Sequence, residues 1–200
     1  MWNRCCKSST IVICLAISAA AQSVQAQSEW KADASKAAIP QRPAVGKVAG
    51  ELFKVDKAEI QFSPASPGKP GSHPGAILTL RQGKEFFADR SFVVFLALKP
   101  GSKLDGLILQ VPPLQFGPGS FERQPHFIVN GNAMPILQGI HMSHRKPGKP
   151  LPDTDMFQDR YSMHLQLGKA NGDKIPGQIY VSVPDKAKSY VAGTFTATLK

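Results

Sequence analysis

The sequence predicts an all-β fold: a single β-sandwich, jelly-roll or immunoglobulin-like in plan, of about nine or ten short strands with long loops. Three observations carry this. Seventeen Gly and seventeen Pro in 200 residues leave little room for long helices, since each Pro removes a backbone donor and each Gly weakens a regular element. Apolar residues recur in short runs, many alternating at period two rather than 3.6. Clusters of Gly, Pro, Asn and Asp cut those runs at intervals, as turns require.

The chain opens with Arg4 and Lys7 ahead of an apolar run from Ile11 to Ala21, then a polar stretch ending Val24-Gln25-Ala26. A basic start, an apolar segment and small residues before a cleavage point are the plan of a secretory signal peptide over residues 1–26, cut after Ala26. Its apolar run is well short of the roughly 20 residues a bilayer-spanning helix needs, so no transmembrane segment is expected after cleavage. Ile13 stands where a lipidated Cys14 would want a small residue. The protein is therefore expected to be exported, to the periplasm or the extracellular space. Cys5, Cys6 and Cys14 are the chain's three cysteines and all lie in the removed segment, so no disulfide is expected in the mature chain. The 174 residues left, 200 less 26, are enough for one core without such staples.

Residues 27–45 contain alanine, lysine and two prolines but no sustained apolar period, and read as a flexible leader with Trp30 as its one sticky side chain. A domain over residues 46–200 follows. Strands are expected at Lys47–Val55, Ala58–Phe62, Ile77–Arg81, Ser91–Leu98, Leu107–Val111 and Phe127–Val129, with another near Ile136–Met142. The run from Phe92 to Leu98 is apolar on both faces, as in a strand buried on both sides. Alternation is clearest at the end of the chain. Tyr161, Met163, Leu165 and Leu167 share one face against Ser162, His164 and Gln166 on the other, and Asn171-Gly172 supplies a turn. Ile179, Val181 and Val183 then point inward, Pro184-Asp185 starts another turn, and Val191, Phe195, Ala197 and Leu199 close a three-strand meander. Long connections at residues 63–75, 99–106 and 112–125, and the opening segment 27–45, are places where a binding surface would be built.

Less Arg4 and Lys7, the 24 basic residues fall to 22 against 14 acidic ones, a net +8. That favours acidic partners, although the cations are strewn along the whole chain, as on a solubilising surface. The tightest cluster is Arg145, Lys146 and Lys149, which we take as the candidate binding residues for anionic groups. They sit in HMSHRKPGKPLPDTDMFQDRY, residues 141–161, where metal-ligand residue types crowd most densely. His141, His144, Asp153, Asp155 and Asp159 are the candidate metal ligands, for calcium or zinc. The spacing weakens both ideas. In an extended chain the odd interval sends His141 and His144 to opposite faces. Asp153 and Asp155 fit the first and third places of a calcium loop, but Gln158 stands where the turn needs Gly and His164 where a Glu is expected.

Catalytic motifs are equally thin. There is no G-x-S-x-G elbow, no H-E-x-x-H and no phosphate-cradling Gly-Lys-Ser/Thr. S-x-x-K occurs at Ser28, Ser66 and Ser143 without supporting motifs, which marks it as chance. Glu85, Asp89 and Asp105 carry the carboxylates a glycosidase pair would need, but sequence alone does not bring them together. Phe86, Phe87, Phe116, Phe121 and Phe157 lie in or beside loops, where they either plug the core or stack on sugar or peptide. Outer faces rich in Ser, Thr and Gln argue against nucleic acid. The expectation is an exported, non-catalytic binding or structural-accessory protein of the cell envelope or extracellular space, with no cofactor. Its partner would be an anionic envelope polymer, a carbohydrate or another envelope protein. The alternative is an exported hydrolase with a His/Asp loop site, metal-dependent or not.

Overall fold

The structure, a computed structural model, describes residues 30–63, 74–83, 87–98, 102–113, 126–129, 132–135, 139–158 and 160–200. The regular elements in them are all strands: β1 (Val45–Val48), β2 (Glu51–Lys54), β3 (Lys57–Ser63), β4 (Gly75–Gln82), β5 (Arg90–Ala97), β6 (Ile108–Val111), β7 (His126–Val129), β8 (Asn132–Pro135), β9 (Ile140–His144), β10 (Asp153–Phe157), β11 (Ser162–Leu167), β12 (Lys174–Ser182) and β13 (Tyr190–Leu199). The fold is all-β, as expected. Pairing forms one continuous curled sheet in the order β10-β9-β5-β4-β3-β13-β12-β11-β6-β7-β8, with β1 and β2 attached at β13. Two separately paired sheets were expected, and a single path of ladders is found.

The C-terminal meander pairs as its alternation predicts. Leu165 lies opposite Ile179 and Val181 opposite Val191, so the apolar positions of β11, β12 and β13 share the inner face. Asn171 and Lys174 exchange backbone hydrogen bonds of 2.8 and 3.1 Å around Gly172, whose φ is 59°. Pro176 sits in β12 just beyond its last pair with β11, where no ladder donor is needed, and its carbonyl accepts from Gly168. The inner face continues through Ile60, Leu78, Leu80, Phe92, Val94, Ile140 and Met142, and these join the meander's apolar residues in one buried cluster.

Four expectations are corrected. The strand expected over Lys47–Val55 is a hairpin, because Ala49 (φ 51°) and Gly50 (φ 87°) turn the chain between Val48 and Glu51. Positive φ at both central residues gives a tight two-residue hairpin turn. The strand expected near Ile136–Met142 begins at Ile140 as β9 and runs to His144; residues 136–138 lie outside the described residues. Residues 153–157, outside every strand expected from sequence, form a second strand, β10, paired with β9 from Asp153↔His144 to Phe157↔Ile140. Finally, residues 30–45, expected to be flexible, lie along the outer face of β11, β12 and β13. Residues 64–73, 99–101 and 114–125, where most of the expected long loops fall, are outside the described residues.

This N-terminal strap is held by contacts that local sequence does not reveal. Trp30, Ala34, Ala37 and Ile39 pack on Tyr180, Tyr190 and Ala192 in a second apolar cluster. The polar outward residues of the meander bond the strap's backbone. Ser162 Oγ accepts from Ala34 N (2.6 Å), Ser182 Oγ donates to Lys31 O (2.6 Å), and Trp30 Nε1 donates to Val183 O (2.8 Å). His164 Nδ1 donates to Ala37 O (3.0 Å), which leaves its Nε2 to accept from the Gln166 amide (2.9 Å).

At its end the strap enters the sheet beside β13. Thr194 N donates to Arg42 O (2.7 Å) and Ala44 N to Thr194 O (2.9 Å). Gly193, with φ 138°, permits this approach, since a Cβ there would stand 2.5 Å from Arg42 O. Beyond this junction β3 takes over the same edge of β13, in parallel, at Ala197↔Ala58. There Glu59 receives the ammonium groups of Lys57 and Lys200, each at 2.8 Å, and they hold its carboxyl down at about 2.

Two outcomes follow from this arrangement. Gly193→Ala should destabilise the fold by roughly 2–4 kcal/mol, because both the backbone conformation and the close approach oppose a side chain; urea unfolding measures it, and a change within about 0.5 kcal/mol would contradict the junction described. The Glu59 carboxylate, with its folded value below the ordinary 4.5, contributes stability above pH ~4.5 that is lost as pH falls through about 2. Both lysines are more than half exposed, so Glu59→Gln should cost only about 1 kcal/mol at pH 7. The gap between wild type and variant should close by about pH 2.

Candidate functional site

The β9–β10 hairpin at one end of the sheet holds most of the residues singled out from sequence. Ile140 and Met142 point into the core, and strand alternation puts His144 on their face and His141 and Ser143 on the other. His141 meets the Phe95 ring edge-on, with centroids 4.6 Å apart. On the same outer face, Ser143 and Thr154 share a hydroxyl hydrogen bond of 2.9 Å. His144 lies opposite Arg90 on one side and Asp153 on the other. Its Nδ1 is buried and makes no hydrogen bond among the described residues.

The basic cluster is gathered at the hairpin tip, and each of its cations faces an acid. Arg145 pairs with the Asp89 carboxylate, and its backbone N–H donates to Asp89 O at 2.8 Å. Lys146 Nζ stands 2.7 Å from Asp153 Oδ2, and Lys149 Nζ stands 3.3 Å from Oδ1. The Lys146 and Lys149 ammonium groups hold the Asp153 carboxyl below its ordinary value, and Asp153 in turn holds the Lys146 ammonium above its own. All of these groups are at the surface, so the pairs fix geometry more than they add stability.

Among the described residues the candidate metal ligands do not assemble into a donor set. His141 and His144 are on opposite faces, and each oxygen of Asp153 already faces an ammonium. Asp155 is exposed in β10 opposite Met142. Asp159 lies outside the described residues. Among the described residues no three His, Cys, Asp or Glu side chains converge. Of the possible carboxylate pair, Asp89 is bound to Arg145, Asp105 accepts the Ala170 N–H at 3.1 Å, and Glu85 lies outside the described residues. Phe157 packs against the core and Phe87 is 41% exposed. Phe86, Phe116 and Phe121 are outside the described residues. Tyr180, between the inward Ile179 and Val181, is on the outer face, yet only 1% exposed, because the strap covers it.

A second feature was not singled out from sequence. Beside the strap, a cleft of about 620 Å³ opens on the outer face of β11, β12 and β13, lined in part by Gln166, Gln178, Thr194, Thr196, Pro43 and Pro176. Register places Gln166 opposite Gln178, and Gln178 opposite Thr194, in one row across three strands. The Gln41 amide donates to Gln178 Oε1 at 2.8 Å. The outward positions of the meander were legible, but the strap that walls them was not.

Comparison of the chain with protein-family models, with curated proteins and with solved structures finds no match in any of the three.

The paired hairpin tip gives a direct expectation. In Asp153→Asn the Lys146 ammonium should titrate at lower pH than in the wild type, followed through its side-chain carbon resonances. An unchanged titration would mean that the pair does not form in solution.

Proposed function

We propose that the chain is an exported, non-catalytic binding or structural-accessory protein of the cell envelope or extracellular space, acting by surface contact. One observation carries this reading: among the described residues the cations of the 141–158 hairpin are each paired with an acid, and its metal-ligand types do not converge on one position. Among the described residues no Ser or Thr hydroxyl is hydrogen-bonded to a histidine, the arrangement a nucleophile and its base require. Export is supported by the basic, apolar and small-residue plan of residues 1–26. A sandwich-like arrangement of the curled sheet is supported by the single inner cluster, which draws side chains from both halves of the strand order.

The contact surface in this reading is the hairpin tip, with Lys146 and Lys149 presented to an anionic polymer. Because Asp153 pairs with both and offsets one of their two charges, the contact is weak until a polyanion displaces that carboxylate. The alternative, an exported hydrolase, draws on one specific observation: the Nδ1 of His144, a residue opposite Asp153 in the β9–β10 ladder, is buried and makes no hydrogen bond among the described residues.

Dextran sulfate serves as the test polyanion. Asp153→Asn should bind it several-fold more tightly than wild type at low salt, with a steeper loss as salt rises. Lys146→Ala with Lys149→Ala should abolish the difference. Equal binding by all three proteins would remove the hairpin tip as the contact surface, and turnover that is lost in a folded His144→Ala variant would favour the hydrolase.

A further inference from the structure

We propose that the cleft beside the strap is a binding site for a neutral, polyhydroxylated ligand, an uncharged glycan chain. This rests on reading the protein as a contact module, but it uses a surface separate from the hairpin tip. The chemistry of the lining selects the ligand class. Gln166, Gln178 and Thr194 form a row of two amides and a hydroxyl across three paired strands, and Thr196 lies one step along β13, opposite Pro176. Among the described residues no charged side chain lines the cleft, so that lining offers an anion no ion pair.

Each of those polar groups both donates and accepts, as sugar hydroxyls do. The Thr194 and Thr196 hydroxyls make no hydrogen bond among the described residues, and Gln178 Oε1 already accepts from a neutral amide, that of Gln41. Strands in a ladder are ~4.8 Å apart, so the row presents polar groups over about 10 Å, a length suited to successive sugar units. Pro43 and Pro176 add apolar surface on which a sugar ring face can lie.

An extended peptide fits less well. Peptides that join sheets pair with a free strand edge, whereas the floor of the cleft is ladder interior: β12 is paired with both β11 and β13, and Thr194 is bonded to Arg42 and Ala44. What remains available is side-chain hydrogen bonding from a polar floor.

The test uses the purified protein with maltotetraose, cellotetraose and tetra-N-acetylchitotetraose as separate probes, followed by NMR of the glutamine side-chain amides. At least one probe should shift the Gln166 and Gln178 amides at millimolar concentration, with an affinity unchanged between low and high salt. Thr194→Val and Thr196→Val keep shape while removing a hydroxyl, and each should weaken binding between about two- and tenfold. No shift with any probe at about 10 mM would overturn the proposal, as would binding untouched by both valine variants. Neither failure would affect dextran sulfate binding at the hairpin tip, so the two readings are tested separately.

Discussion

The structure depends on how β13 divides one of its edges. On one side it pairs with β12 along nearly its whole length. On the other, its first half pairs antiparallel with β1 and receives residues 42–44, and its second half pairs in parallel with β3. Buried backbone groups must find partners, and here they find them on two different segments of chain. The changeover is possible because Gly193 leaves space for Arg42 and Ala44 to approach. Without that space the strap and β1 would have no edge to join, and the path of the sheet from β12 to β3 would be obstructed.

Everything else is arranged on the two faces of this strand. Val191, Phe195 and Ala197 face the main core, while Tyr190 and Ala192 face the strap. The outer face of a sheet is ordinarily left to solvent. Here its polar side chains satisfy the backbone of an irregular segment that would otherwise be costly to bury. Ser162 and Ser182 also share a contact of 3.1 Å beneath the strap. These serines are as necessary to the strap as its own apolar residues, and the cleft exists because the strap stops covering the face at Gln41.

Local pattern made much of this legible. Strict alternation in β11, the Asn171-Gly172 turn and the apolar run of β5 are properties of neighbouring residues, and they mark strand, turn and burial without outside information. The all-β class follows from them. The strap was illegible for the opposite reason: Trp30, Ala34, Ala37 and Ile39 have no strand period, and what buries them is Tyr180 and Tyr190, over a hundred residues away. β10 was hidden in a different way. Its DTDMF sequence is polar enough to read as loop, and it is a strand because β9 offers it an edge. At the candidate site, alternation separated His141 from His144 in advance, whereas the pairing of every tip cation with an acid depends on a hairpin that sequence did not reveal.

The pairing of β13 with the strap, β1 and β3 also sets the order in which the fold can close. The strap, β1 and β3 all lie far upstream of β13, and each has it as a partner. A ribosome delivers β13 long after them. Until it emerges, the strap and β1 lack that partner, and closing loops this long makes folding slow. The topology thus postpones closure of the sheet until β13 has been made.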